Sequence, residues 1–202
     1  MKRVSAPVVA GCFRAGALVG LLVVPALAST KVPESGARVD VERRDDGLFA
    51  IDGRFSVCAS TAAAWSVITD YAGIPTFVTS MKKSRVTGAL SDGTLIVEQT
   101  AVGRMFLISK TLHVKLEVRR DPGRMTFEDV GRADFWIYSG SWSVQAKPDG
   151  CEVRYRLLAQ PDFPAPGFLL GGAMRRGARE LLDQVRAEIQ RRAAAVSAAN
   201  AP

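Results

Sequence analysis

From Leu48 the chain alternates. Phe49, Ile51, Phe55 and Val57 share one phase while Asp52, Arg54 and Ser56 share the other, the two-residue period of a half-buried strand. The period then lengthens: between Ser60 and Tyr71 the apolar residues Ala64, Trp65 and Ile68 fall at helical spacing, with Ser60 or Thr61 available as N-cap. Gly73 and Pro75 interrupt that helix and leave room for only one or two further turns over Ile74–Ser80. One strand and two short helices are the expectation for this part.

Six strand-like runs follow, punctuated by turn residues: Met81–Ala89, Thr94–Val102, Met105–Arg119, Arg124–Val130, Phe135–Ala146 and Cys151–Gln160. Ser91-Asp92-Gly93, Asp121-Pro122-Gly123 and Pro148-Asp149-Gly150 are hairpin-type connections, so the runs read as an antiparallel meander. Alternation is strict from Leu112 to Arg119, with His113, Lys115, Glu117 and Arg119 on one side, so the sheet has a wet face and a dry one. The last run, Phe168 to about Val196, sets Leu170, Met174, Ala178, Leu181, Val185 and Ile189 on one helical stripe, with most of its arginines off it. Such a helix belongs on the dry face. The order predicts an α+β fold in which a curved seven-stranded antiparallel sheet wraps a long C-terminal helix.

The N-terminus changes what the charge means. Lys2, Arg3 and Arg14 precede an uncharged run from Ala15 to Ala28 that is short for a bilayer span and closes on Ala26-Leu27-Ala28, a secretory leader pattern with cleavage near Ala28. The competing lipoprotein box, Val9-Ala10-Gly11-Cys12, lies before the main apolar run rather than after it. Residues 29–47 read as a flexible lead-in, 48–192 as the domain and 193–202 as a disordered small-residue tail. Without the leader's three basic residues the net charge drops from +7 to about +4, too mild to imply nucleic acid. Export to a periplasm or medium leaves Cys58 and Cys151, a candidate disulfide or two separate buried thiols.

The stretch Ala59–Val86, written ASTAAAWSVITDYAGIPTFVTSMKKSRV, resembles the N-terminal signature of the START-like helix-grip (SRPBCC) superfamily, and Gly140-Ser141-Trp142 and the strand Cys151–Ala159 are also similar to it. The likeness is greatest to the polyketide cyclase/dehydrase and coenzyme Q-binding START-like branch, and it covers roughly residues 48–192. It implies a hydrophobic cavity between sheet and C-terminal helix, with Phe77, Phe106, Trp136, Tyr138, Trp142, Phe163, Phe168 and Met174 near it. It also brings the ends of the first and last strands together near Cys58 and Cys151. The phases oppose a bond there, since Cys58 follows Arg54 and Ser56 whereas Cys151 precedes Val153 and Tyr155.

Little in the chain suggests catalysis. The single histidine, His113, sits on the wet phase, and no metal set or phosphate loop can be assembled. Asp134, Tyr138, Glu98 and Asp129 remain as acid/base candidates if they reach the cavity. Lys82, Lys83 and Arg85 form a basic cluster without a stacking platform for nucleic acid. Arg175, Arg176 and Arg179 beside Phe168, Leu169 and Leu170 suit transient contact with an anionic membrane. The expectation is an exported carrier or binder of a hydrophobic small molecule or lipid, such as a quinone, isoprenoid or acyl chain, needing no cofactor. The alternative is a cyclase or dehydratase using a cavity carboxylate or tyrosine.

One oddity bears on either reading. Gly171, Gly172 and Gly177 weaken the last helix where each costs about 0.5–1 kcal/mol relative to alanine. Either they thin the helix over the cavity and, with Gly167 and the Pro161–Gly167 hinge, form a gate, or they permit close packing on the sheet.

Overall fold

A computed structural model describes residues 36–44, 46–105, 108–164 and 166–199. The leader assigned to 1–28 and the aromatic Phe106 lie outside the described residues.

Eight strands form one antiparallel sheet: β1 (Arg38–Arg43), β2 (Phe49–Val57), β3 (Met81–Ala89), β4 (Leu95–Met105), β5 (Ile108–Asp121), β6 (Arg124–Asp129), β7 (Phe135–Lys147) and β8 (Gly150–Pro161). Their spatial order is β1-β2-β8-β7-β6-β5-β4-β3. The helices are α1 (Thr61–Ile68), α2 (Ile74–Phe77) and α3 (Gly167–Ala199). The sheet and its long C-terminal helix give the helix-grip layout.

The extra strand is β1, which lies in the segment read as a lead-in. It pairs with β2 from Arg38↔Arg54 to Arg43↔Phe49 and buries Val39 against the core. Its weak signal has a physical cause. An edge strand six residues long that carries Arg38, Asp40, Glu42 and Arg43 shows little apolar periodicity, and those charges discourage further pairing at the edge. At the other end α3 continues to Ala199, so most of the segment read as a tail is helix.

Alternation sets the two faces. Phe49, Ile51, Phe55 and Val57 of β2 and Cys151, Val153, Tyr155, Leu157 and Ala159 of β8 point into the core, while Arg54, Ser56 and Arg156 point out. α3 crosses this dry face against β1, β2, α1 and β4. Its buried residues are Ala178, Leu182, Val185, Glu188 and Ile189. Gly53 makes room for that crossing, because a Cβ there would meet Leu182 Cδ1 at 2.4 Å.

Register also decides the cysteines. Cys151 pairs with Val57, so Cys58, one residue further on, turns to the opposite side and is exposed while Cys151 is buried. Both thiols are free, and the candidate disulfide is not formed.

Candidate functional site

Ser60 starts α1 as an N-cap, its Oγ accepting from Ala63 N at 3.1 Å. α1 ends at a corner where Asp70 Oδ1 accepts from Gly73 N at 3.0 Å, and α2 begins with Pro75 in its first turn. The corner and α2 close over the concave side of the sheet beside α3. Between them lies a cavity of about 100 Å³.

The lining is mainly apolar. Val67 and Ile68 of α1, Phe77 of α2, Leu116 and Val118 of β5, and Leu181 and Val185 of α3 supply much of it. Tyr71, Tyr138, Tyr155 and Gln99 add the polar atoms, with the Met125 sulfur among them. Phe127 lies between two of the phenols, its ring centroid 5.9 Å from Tyr138 and 6.2 Å from Tyr155. Gly140 leaves space for that ring, since a Cβ there would sit 2.6 Å from Phe127 Cζ and 2.2 Å from Arg156 O. The Tyr71 hydroxyl donates to Met125 Sδ at 3.2 Å.

Burial raises all three phenols. For Tyr71 it is opposed by the nearby Arg120, and for Tyr138 by Tyr155; Tyr155 is pushed well above the ordinary phenol value by burial and then by Tyr138. They therefore stay protonated at neutral pH and act as hydrogen-bond donors rather than bases.

The carboxylates expected near the cavity are engaged elsewhere. Asp129 accepts from Lys115 N at 2.9 Å, Gly131 N at 3.0 Å and Arg132 N at 3.2 Å, which holds a turn where Arg132 has φ 49°. Asp134 accepts from His113 N at 2.8 Å and pairs with Lys110 Nζ at 2.8 Å. Burial works to raise Asp134, but Lys110 and His113 outweigh it and hold the carboxyl below its ordinary value. Glu98 pairs with Arg85 at 2.8 Å on the surface. His113 has an exposed side chain.

Of the aromatic residues expected at the cavity, Phe77, Tyr138 and Trp142 line it. Met174 packs on the core outside the lining. Trp136 is 61% exposed, because the register shift between Phe135 and Ile137 turns it outward. Phe163 lies in the loop before α3 with Lys110 Nζ 5.0 Å from its ring centroid, and Phe168 is 80% exposed. Sequence reasoning missed Tyr71, Tyr155, Gln99 and Met125. The inward phase of β8 carried a signal for Tyr155; the others depend on which way the α1–α2 corner and β4 fold in.

The helix glycines do not roof the cavity, which lies under Leu181 and Val185 further along α3. Close packing does not require them either. A Cβ on Gly172 or Gly177 would meet nothing within 4 Å, and one on Gly171 would make an ordinary contact of 3.6 Å with Phe49. Gly167 differs, since its added Cβ would lie 2.5 Å from Arg43 Cζ.

A larger, open depression of about 720 Å³ lies on the wet face, bordered by Asp52, Glu117, Arg119, Glu128 and Arg156. Its charged walls suit an apolar ligand poorly. The smaller, mainly apolar cavity is the candidate site.

The sequence profile described as polyketide cyclase / dehydrase and lipid transport matches residues 49–194. No curated protein matches the chain. Among solved structures, a STAR-related lipid transfer protein from Xanthomonas axonopodis is 15% identical with a TM-score of 0.61, the alignment covering 78% of this chain and 95% of that one. The Zhui aromatase/cyclase from a Streptomyces species is 15% identical with a TM-score of 0.61, covering 77% and 99%. A protein of Thermus thermophilus is 19% identical with a TM-score of 0.60, covering 73% and 99%. At these identities the likeness is one of fold.

Proposed function

The chain belongs to the polyketide cyclase / dehydrase and lipid transport family, and from that premise we propose that it binds a hydrophobic small molecule or lipid in the cavity between sheet and α3 and shields it from water. The observation that carries the reading is the lining itself: apolar side chains and protonated phenols, with no carboxylate among the described residues that face the space. Burial of apolar ligand surface supplies the affinity, at about 25 cal/mol per Å².

The cavity as it stands is small beside the roughly 300–1,000 Å³ of ordinary ligand sites. A quinone, isoprenoid or acyl chain of any length therefore enters by moving the wall. We assign that movement to α3, where three glycines loosen the first turns without any packing need. The same turns expose Phe168 and Leu169, and Arg175, Arg176 and Arg179 follow at helical spacings of seven and eleven residues. That face suits an anionic membrane, and the N-terminal leader suits export, so we infer a carrier that works at a membrane surface outside the cytoplasm.

Cyclase or dehydratase chemistry is the second reading, favoured by the phenols of half-buried Tyr138 and buried Tyr155 in the lining. Among the described residues no base faces the cavity, since the phenols are pushed upward and Asp129 and Asp134 are bound to backbone and Lys110. The deciding experiment is native mass spectrometry with solvent extraction of the protein purified from its own compartment. A co-purifying apolar molecule is expected. Repeated recovery of empty protein that also fails to take up an added apolar fluorophore overturns the carrier reading.

A further inference from the structure

The chain contains three tyrosines, and all three line this one cavity. Phenylalanine supplies nearly the same apolar area and is used nine times in the chain, so the three hydroxyls call for an explanation. A hydroxyl taken out of water without a partner costs stability.

The Tyr71 hydroxyl shows what the cavity lacks. It is buried and donates to the Met125 thioether, among the weakest acceptors that side chains offer. Tyr138 and Tyr155 are near enough for each to alter the other's ionisation. Both rings stand against Phe127, at 5.9 and 6.2 Å between centroids, and a bond between two phenols consumes only one of their two protons. The nearby Asp129 has both oxygens taken by backbone N–H bonds, and Gln99, which gives its Nε2 to Ser84 Oγ at 3.2 Å, keeps its amide oxygen as a single good side-chain acceptor against three phenol donors. The lining has a surplus of donors over good acceptors. Arginine and lysine are absent from the lining among the described residues, so a carboxylate or phosphate head finds no direct cationic partner in it.

We propose that Tyr71, Tyr138 and Tyr155 form a donor array that selects apolar ligands bearing a carbonyl oxygen over pure hydrocarbons. The ligand oxygen takes protons now spent on sulfur or on a second phenol, while the hydrocarbon body occupies the space beside Phe77, Leu116 and Val185. This inference rests on the apolar-ligand reading above and narrows it to ketones, quinones and esters.

The test compares 2-acetylnaphthalene with 2-ethylnaphthalene, probes of similar shape that differ in the carbonyl, on the full chain and on its Tyr71→Phe, Tyr138→Phe and Tyr155→Phe variants. Binding is followed by fluorescence, and the bound ketone by its infrared carbonyl stretch. The ketone is expected to bind about tenfold more tightly than the hydrocarbon, with its stretch shifted to lower wavenumber. At least one Tyr→Phe change should reduce that preference to near unity and move the stretch back. Equal binding of both probes to the unaltered protein, with an unshifted stretch, overturns the donor array and leaves the apolar-ligand reading standing. Failure of both probes to bind overturns that reading and the donor array with it. The unaltered protein alone supplies these decisive outcomes, so a variant that folds poorly does not blunt the test.

Discussion

Arg192, near the end of α3, bonds Asp70 at 2.7 Å across the molecule. Its Nε holds Glu188 at 2.6 Å, and its guanidinium carbon stands 5.7 Å from the centre of the Phe77 ring. One arginine thus ties the C-terminal half of the long helix to the α1–α2 corner that walls the cavity. The opposite end of α3, loosened by glycine, has no comparable clamp among the described ion pairs.

The clamp makes stability depend on pH. The Arg191 bond, followed by that of Arg192, lowers the buried Glu188 carboxyl from 4.5 to about 2, against the opposing effect of burial. A depressed carboxyl contributes stability that is complete above the unfolded value of 4.5 and is lost as pH falls through about 2. Denaturant midpoints are expected to drop between pH 4.5 and 2, and Glu188→Gln should flatten that slope. The upper bound is about 3 kcal/mol, and the exposure of Arg191 reduces it. A variant as acid-sensitive as the parent would refute the assignment.

Filling the first turns of α3 should stabilise the protein. Gly172→Ala and Gly177→Ala introduce a Cβ into open space, and each is expected to add roughly 0.5–1 kcal/mol. If these turns move to admit ligand, stopped-flow release of a bound fluorophore slows in the double variant. Release at the parental rate in a more stable protein would detach the glycines from gating.

Asp129→Asn and Asp134→Asn test structure against catalysis. Asp129 holds three backbone N–H groups and Asp134 holds one together with Lys110, so each loss is expected to cost about 1–3 kcal/mol in urea unfolding without altering the affinity of ligand for the folded protein. A variant with an unchanged midpoint and no ligand binding would return that carboxylate to the cavity chemistry.

The exposed apolar residues predict a surface phenotype. Phe168→Ser should leave the melting temperature unchanged, because that side chain is 80% exposed, yet weaken sedimentation with vesicles containing phosphatidylglycerol. Binding to phosphatidylcholine vesicles should be weak for both proteins. Equal sedimentation of parent and variant on anionic vesicles would remove the membrane role from this face.

What local pattern controls is legible in the residue order. The two-residue period of β2 and β8, the stripe of Ala178, Val185 and Ile189, and the turn residues at Asp92-Gly93 and Pro122-Gly123 place nearly every element, because each side chain's face follows from its own backbone period. The family likeness in Ala59–Val86 carries the helix-grip layout. β1 escapes because a charged edge strand needs a neighbour to define its inner face.

The cavity depends on more than period. Trp136 and Tyr138 stand two residues apart on one strand, and a register shift at Phe135/Ile137 sends one to solvent and leaves the other in the lining. Tyr71 reaches Met125, 54 positions away, only because Asp70 and Gly73 turn the α1–α2 corner inward. Residue order alone thus dictates most of the elements, the dry face and the family. Which polar groups meet inside is settled in three dimensions, because hydrogen-bond partners far apart in the chain become neighbours only when the sheet curves and the long helix closes over it.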